Sequence, residues 1–170
     1  MIREYLNYIQ ESLQKGIEIR EVPLNDWKKE MSLLFKQFNK DTKGHSAFKT
    51  RVSPTSDRNS MMGKSKNITL VASINGVDIG FIIGLIDLAK LDVGIIKYVW
   101  LHKDYRSQGI MDELFKRLIK WFTENKAPII RVWTQGKNFR ALKFYKKMGF
   151  DIETYGLRNL DSKNIKPSVM

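Results

Sequence analysis

Apolar side chains along this chain change period several times, and each change predicts an element. In residues 1–15, Ile2, Tyr5, Leu6, Ile9 and Leu13 recur at helical spacing, Arg3, Glu4, Asn7 and Gln10 lie between them, and Gly16 ends the run. Residues 17–22 read as a first strand, in which Ile17, Ile19 and Val22 compete with charged neighbours. Asn25 or Asp26 stands where a helix N-cap belongs, and Trp27, Met31, Leu34, Phe35 and Phe38 form the apolar stripe of a helix through about Phe38. The periodicity then stops. Residues 39–67 are rich in Ser, Thr, Gly, Pro and Asn, the composition of a long binding loop or lid, with room for a short helix over 47–51.

Order returns with a strand at 68–74, which the hairpin signal Asn75-Gly76 joins to a partner strand over 77–89. After a turn at Asp92-Val93-Gly94, residues 95–102 form a nearly continuous apolar run, as in a strand covered on both faces. A helix follows from about Gly109 to Glu124, with Met111, Leu114, Phe115, Leu118 and Phe122 facing inward. Residues 128–134 read as a strand and 138–148 as a helix, with Ala141, Phe144, Tyr145 and Met148 on one face and Gly149 closing it. A last strand is expected over 150–157 and a loose tail over 161–170. The pattern predicts a mixed α/β domain over 16–160, without internal repeats, preceded by an extra helix over 1–15.

Composition narrows the function. A length of 170 residues fits one domain, and 42% hydrophobic with 28% charged residues supplies both a core and a solvated shell. The absence of cysteine removes disulfides, thiolate metal sites and cysteine nucleophiles, and fits a reducing cytoplasm. His45 and His102 are the only histidines, which argues against a histidine-based zinc site; no metal is expected. No apolar run reaches the roughly 18 residues of a membrane span. Glu4, Asn7, Gln10 and Glu11 break any signal-peptide core. The anomaly is charge: 30 Lys+Arg against 18 Asp+Glu, a net +12. Such a chain attracts polyanions, either nucleic acid or a phosphate-rich cofactor. The basic residues are spread along the chain and no nucleic-acid motif is present, which weighs against a nucleic-acid partner.

Two junctions carry the candidate chemistry. At the first, a buried strand ends near Leu101, a polar turn follows, and a helix opens close to Gly109. A helix N-terminus presents unpaired N–H groups and the positive end of the dipole, a natural diphosphate site. Gly109 removes a Cβ from the approach and Arg106 adds a permanent cation. Taken alone, the same residues also describe an ordinary strand-to-helix turn. At the second junction, Asn138 opens a helix that ends in Gly149-Phe150.

Together the two segments resemble the GNAT superfamily of acyl-CoA-dependent N-acyltransferases. The family's pyrophosphate loop, Arg/Gln-x-x-Gly-x-Gly/Ala, stands here as Arg106-Ser107-Gln108-Gly109-Ile110-Met111. Its later Asn-x-x-Ala-x-x-Phe-Tyr-x-x-x-Gly-Phe element is matched by Asn138, Ala141, Phe144, Tyr145, Gly149 and Phe150. The hairpin at Asn75-Gly76, with Gly80 and Gly84 in its second strand, is similar to the family's central hairpin. The resemblance spans about 17–157 and implies a mostly antiparallel sheet of six or seven strands, splayed at the cofactor site and flanked by about four helices. It implies acetyl-CoA as co-substrate, with the amides of Gln108, Gly109, Ile110 and Met111 on its diphosphate. Backbone groups of Val99, Trp100 and Leu101 would pair with pantetheine, as a strand-addition ligand does. Asn138 would hydrogen-bond the pantetheine arm, cap its helix, or do both. Tyr145 would protonate the departing thiolate, or serve only as a core aromatic.

The loop departs from the family at Met111, where a small residue is usual. Its amide can still donate, and its side chain reads as part of the inward stripe with Leu114; the alternative is a bulky group crowding the diphosphate. A general base is not visible, because residues 95–101 hold no carboxylate, and His102 and Asp104 read equally as turn residues. Gly63-Lys64-Ser65 lacks the upstream glycine and strand of an NTPase loop, since Arg58 occupies that position. No Gly-x-Ser-x-Gly elbow occurs.

The expected activity is acetyl transfer to a primary amine of a small molecule or peptide. A basic nucleic-acid-binding module and a CoA-binding protein without catalysis are the alternatives. Residues 36–66 carry eight Lys/Arg against Asp41 and Asp57, which favours a neutral or anionic acceptor over a polycationic one. The stripe over 1–15 must cover its own sheet, a sister subunit in a homodimer, or another protein. No membrane partner is expected.

Overall fold

The computed structural model describes residues 16–42, 65–87, 93–136 and 138–152. The expected helix over 1–15, the short helix over 47–51, residues 153–157 of the last strand and the tail lie outside the described residues. The chain forms two compact units, within residues 1–133 and 134–170. The first holds β1 (Ile17–Glu21), α1 (Trp27–Asp41), β2 (Ser65–Ile74), β3 (Val77–Asp87), β4 (Val93–Leu101), a 3-10 turn (Lys103–Tyr105), α2 (Ile110–Glu124) and β5 (Ile129–Val132). The second holds α3 (Phe139–Lys147).

The strands form one sheet in the order β1-β2-β3-β4-β5, antiparallel except for the parallel β4–β5 pair. Among the described residues there are five strands and three α-helices, fewer than the six or seven strands and four helices expected. Residues 150–152, expected to begin a strand, have no ladder partner among those residues. β2 begins at Ser65, earlier than its apolar pattern suggests. Lys66 and Asn67 pair with Ile86 and Leu85, and a ladder needs backbone groups rather than apolar side chains. α1 runs past Phe38 to Asp41. Asp26 stands at its N-cap in a helical conformation and its side chain makes no cap bond, so the expected capping role is not seen.

Local chemistry explains the hairpin. Asn75 and Gly76 adopt φ of 50° and 75°, the left-handed pair that a two-residue turn between twisted strands requires. Strand alternation then sorts the sheet's two faces. On one, Phe81 and Ile83 meet the Trp27, Met31, Leu34 and Phe35 stripe of α1, and the Trp27 Nε1–H donates to Thr69 Oγ1 at 2.8 Å. On the other, α2 lies so close that a Cβ at Gly94 would stand 2.6 Å from the Phe122 ring. Burial of each such side chain contributes roughly 1.5–3 kcal/mol, whereas the exposed Lys120–Glu124 pair on α2 contributes about 0.3–0.5 kcal/mol. Packing therefore seats both helices.

One irregularity positions the candidate site. Ile83 pairs with Tyr98 and Gly84 with Ile96, leaving Lys97 as an extra residue in β4. A bulge of this kind bends its strand and reverses the alternation beyond it. The β4–β5 ladder ends at Ile96–Val132, immediately before the bulge, while β4 continues to Leu101. β5 itself ends at Val132, so β4 runs on beyond its last partner on that side.

Candidate functional site

β4 leads directly into the candidate site. Trp100 and Leu101 are buried and Val99 is half-buried, all beyond the end of the β5 ladder. His102 continues the strand's pairing, its N–H donating to the Ile79 carbonyl at 2.8 Å. Its ring accepts from the Asp104 N–H at 3.5 Å, which makes His102 the cap of the 3-10 turn. Asp104 is exposed and its carbonyl accepts from Gln108 Nε2 at 3.1 Å. Both residues act here as turn formers.

Between the turn and α2 the backbone visits the left-handed region twice, at Ser107 (φ 61°) and Gly109 (φ 77°). Gly109 is the N-cap of α2 and has no side chain to occupy the first-turn amides. Glycine adopts this conformation freely, whereas a serine there costs about 1–2 kcal/mol. Ser107 and Gln108 are exposed, which leaves this turn polar and open. The first-turn residue of α2 that enters the core is Ile110, 1% exposed; Met111 is only half-buried. Met111 thus lies at the margin of the inward stripe rather than in its fully buried set. The buried set Ile110, Leu114, Phe115, Leu118 and Phe122 holds the i, i+4, i+8 row, and Met111 falls beside it.

Arg106 turns back under this loop. Its Nε–H donates to the Leu101 carbonyl at 2.9 Å, and its terminal nitrogen lies 3.9 Å from Asp41 Oδ2. The Trp100 indole N–H donates to the same Asp41 oxygen at 3.0 Å. Asp41, in the last turn of α1, therefore joins the end of β4 to the loop. Sequence reasoning passed over it as one acid in a basic stretch. The available signal was spacing, since Asp41 extends the row Trp27, Met31, Leu34, Phe38 by three residues and places a carboxylate on an apolar stripe.

In the second unit, Asn138 caps α3. Its Oδ1 accepts from the Ala141 N–H at 3.2 Å and its carbonyl from the Leu142 N–H at 3.0 Å. The other end is a Schellman cap. Phe150 N–H donates to the Tyr145 carbonyl and Gly149 N–H to the Lys146 carbonyl, both at 3.0 Å, with Gly149 at φ 85°. The Tyr145 and Phe150 rings meet at 5.8 Å, the apolar contact that accompanies such a cap. Tyr145 is buried, and burial pushes its phenol up to about 12, so it stays protonated at neutral pH.

The structure thus gathers Val99 to Met111 in the first unit and places Asn138 and Tyr145 at the start and in the last turns of one helix in the second. Among the described residues, no helix is long and apolar enough to cross a membrane.

An uncharacterized N-acetyltransferase of Methanocaldococcus jannaschii is 25% identical over 95 residues, which are 54% of this chain and 42% of that protein. An acetyltransferase of Sodalis glossinidius is 28% identical over 100 residues, 59% of this chain and 68% of that one. The match thus spans less than half the length of the first relative and about two-thirds of the second. A solved aminoglycoside acetyltransferase from a soil metagenome, in complex with sisomicin, superposes with a TM-score of 0.65 at 14% identity, covering 88% of this chain and 98% of that one; this is likeness of fold. The sequence profile described as the Acetyltransferase (GNAT) family matches residues 25–150. That span takes in α1, the bulged β4, the glycine-capped start of α2 and the whole of α3: the chain belongs to the GNAT acetyltransferase family.

Proposed function

We propose that this chain is an N-acetyltransferase that uses acetyl-CoA as co-substrate and acetylates a primary amine of a small molecule or peptide by direct attack. The observation that carries the reading is that β4 continues past the end of its β5 ladder, beside the Lys97 bulge, into a helix start whose glycine makes no side-chain cap. A strand that runs past its neighbour offers backbone groups to an extended, amide-bearing ligand such as pantetheine. Val99, Trp100 and Leu101 would serve there. The Leu101 carbonyl already accepts from Arg106 and has a second lone pair to offer. The amides of Gln108, Gly109, Ile110 and Met111 would hold the diphosphate, with Ser107 setting the turn and Arg106 bracing it from below.

Asn138 Oδ1 is engaged as a cap, so its Nδ2–H remains the donor for the pantetheine arm. Acetyl-CoA supplies the activated thioester. Tyr145 would keep a proton ready for the sulfur that departs, and burial supports this by holding the phenol neutral. The same burial opposes outright ionisation, so Tyr145 acts first as a hydrogen-bond donor to the developing thiolate. β4 contains no carboxylate, and the amine's proton leaves through water or backbone groups in this reading. The basic composition of residues 36–66 favours an acceptor that is neutral or carries an anionic group.

Calorimetric titration with acetyl-CoA, followed by an amine panel that reads free thiol, tests the proposal. Binding together with amine-dependent thiol release is expected. Binding without release from any amine would favour a CoA-binding protein without catalysis, to which the missing β4 carboxylate already points. Salt-sensitive nucleic-acid binding with no affinity for acetyl-CoA would overturn both.

A further inference from the structure

We propose that Asp41 is a positioning residue for the cofactor loop, holding Trp100 and Arg106 so that the turn from β4 into α2 keeps its ligand-binding shape. The inference rests on acetyl-CoA being the ligand of that turn. Asp41 is out of place by local rules. It lies in the last turn of α1, where the helix dipole disfavours a negative charge, and it ends an apolar stripe. A residue that contradicts its own helix answers to a tertiary demand. Here that demand is visible: one oxygen, Oδ2, accepts from the buried Trp100 indole at 3.0 Å and faces the Arg106 guanidinium at 3.9 Å.

Both partners belong to the site. Trp100 lies in the part of β4 beyond the β5 ladder, and Arg106 reaches the Leu101 carbonyl at 2.9 Å from the start of the loop. Asp41 thus adds to the contacts that place Arg106, and Arg106 ties the loop to the end of β4 through the Leu101 carbonyl. Without the carboxylate, the guanidinium loses one of its contacts and the indole its acceptor, which loosens the left-handed turn at Ser107 and Gly109.

The test is a double-mutant cycle read as acetyl-CoA affinity by calorimetry and as kcat against KM. Asp41→Ala is expected to weaken acetyl-CoA binding roughly three- to tenfold, with kcat at saturating acetyl-CoA within about twofold of wild type. Asp41→Asn keeps an acceptor for the indole and should lose less; it also serves if the alanine variant folds poorly. In an Arg106→Gln background the loss from Asp41→Ala should shrink. Unchanged or tighter binding in Asp41→Ala, or losses that simply add in the double variant, would overturn the inference while leaving the acetyltransferase reading intact. A wild-type chain that binds no acetyl-CoA would overturn that reading and the inference with it.

Discussion

Tyr145 stands under two demands that can be separated by measurement. Its backbone and ring close α3 through the Schellman cap, and its hydroxyl is the proposed donor to the thiolate. Tyr145→Phe keeps the ring and removes only the hydroxyl. Turnover should fall by about 10²-fold with acetyl-CoA affinity nearly unchanged. Full turnover with every tested amine would remove Tyr145 from the chemistry. The phenol also predicts an alkaline limit. Its value is raised from 10.0 to about 12 in the folded chain, so above pH 10 the unfolded chain releases a proton that the folded one retains. Stability should therefore fall as pH rises from about 10 to about 12, and less steeply in Tyr145→Phe. Denaturant titrations across that window give the comparison. Gly109 is likewise doubly constrained. At φ 77° both Gly109→Ala and Gly109→Val strain the backbone by about 1–2 kcal/mol, but only valine adds branched bulk over the first-turn amides. Acetyl-CoA affinity should drop further for valine than for alanine, and equal affinities would mark the glycine as purely structural.

Each element of the site owes its shape to a neighbour. β4 carries a bulge beside the end of its β5 ladder, α2 is pressed onto the sheet across Gly84 and Gly94, and α3 is closed at both ends by its own residues. β1 is tied by charge as well as by its ladder. Arg20 reaches across β2 to both oxygens of Asp78 on β3, at 3.1 and 2.9 Å, and to Glu30 on α1 at 3.0 Å. Even so, the Asp78 carboxyl is held above its usual range, because desolvation outweighs the pull of Arg20 and Glu30 adds repulsion. Burial thus costs the charged Asp78 more than Arg20 returns. Asp78→Asn should leave the Tm within about 3 °C of wild type, whereas Arg20→Met, which strands two carboxylates together, should lower it by more. A large drop in Asp78→Asn beside a neutral Arg20→Met would reverse that account.

A net charge of +12 acts over the entire surface and so bears on the partners rather than on the fold. Acetyl-CoA brings several negative charges, and its affinity should weaken as salt screens them. Protonated amine acceptors carry the same sign as the protein and are repelled. Among amines offered at equal concentration, amino-acid-like acceptors should be turned over faster than polyamines or aminoglycosides at low ionic strength. Preference for a polyamine would show that the basic residues of 36–66 do not face the acceptor. The aminoglycoside acetyltransferase of similar fold does not decide this, because at 14% identity the likeness stops at the backbone.

Much of the local structure was legible in the sequence, and for identifiable reasons. The Asn75-Gly76 turn, the α1 stripe, the N-cap at Asn138 and the stop at Gly149-Phe150 depend on backbone conformation and period, which are written locally. Even the Phe-Tyr-x-x-x-Gly-Phe signature is in large part a helix cap, with Tyr145, Gly149 and Phe150 at its three working positions. Other features depended on partners distant in the chain. Lys97 becomes a bulge only because Tyr98 and Ile96 take adjacent partners on β3, and nothing around it announces this. Whether Ile110 or Met111 enters the core is a matter of helix rotation against the sheet. Asp41 looks like a stray acid until Trp100 and Arg106, which lie far along the chain, arrive beside it. Local propensity sets turns, caps and stripes; the direction in which a strand bends, and the company a charge keeps, are settled only when the sheet closes.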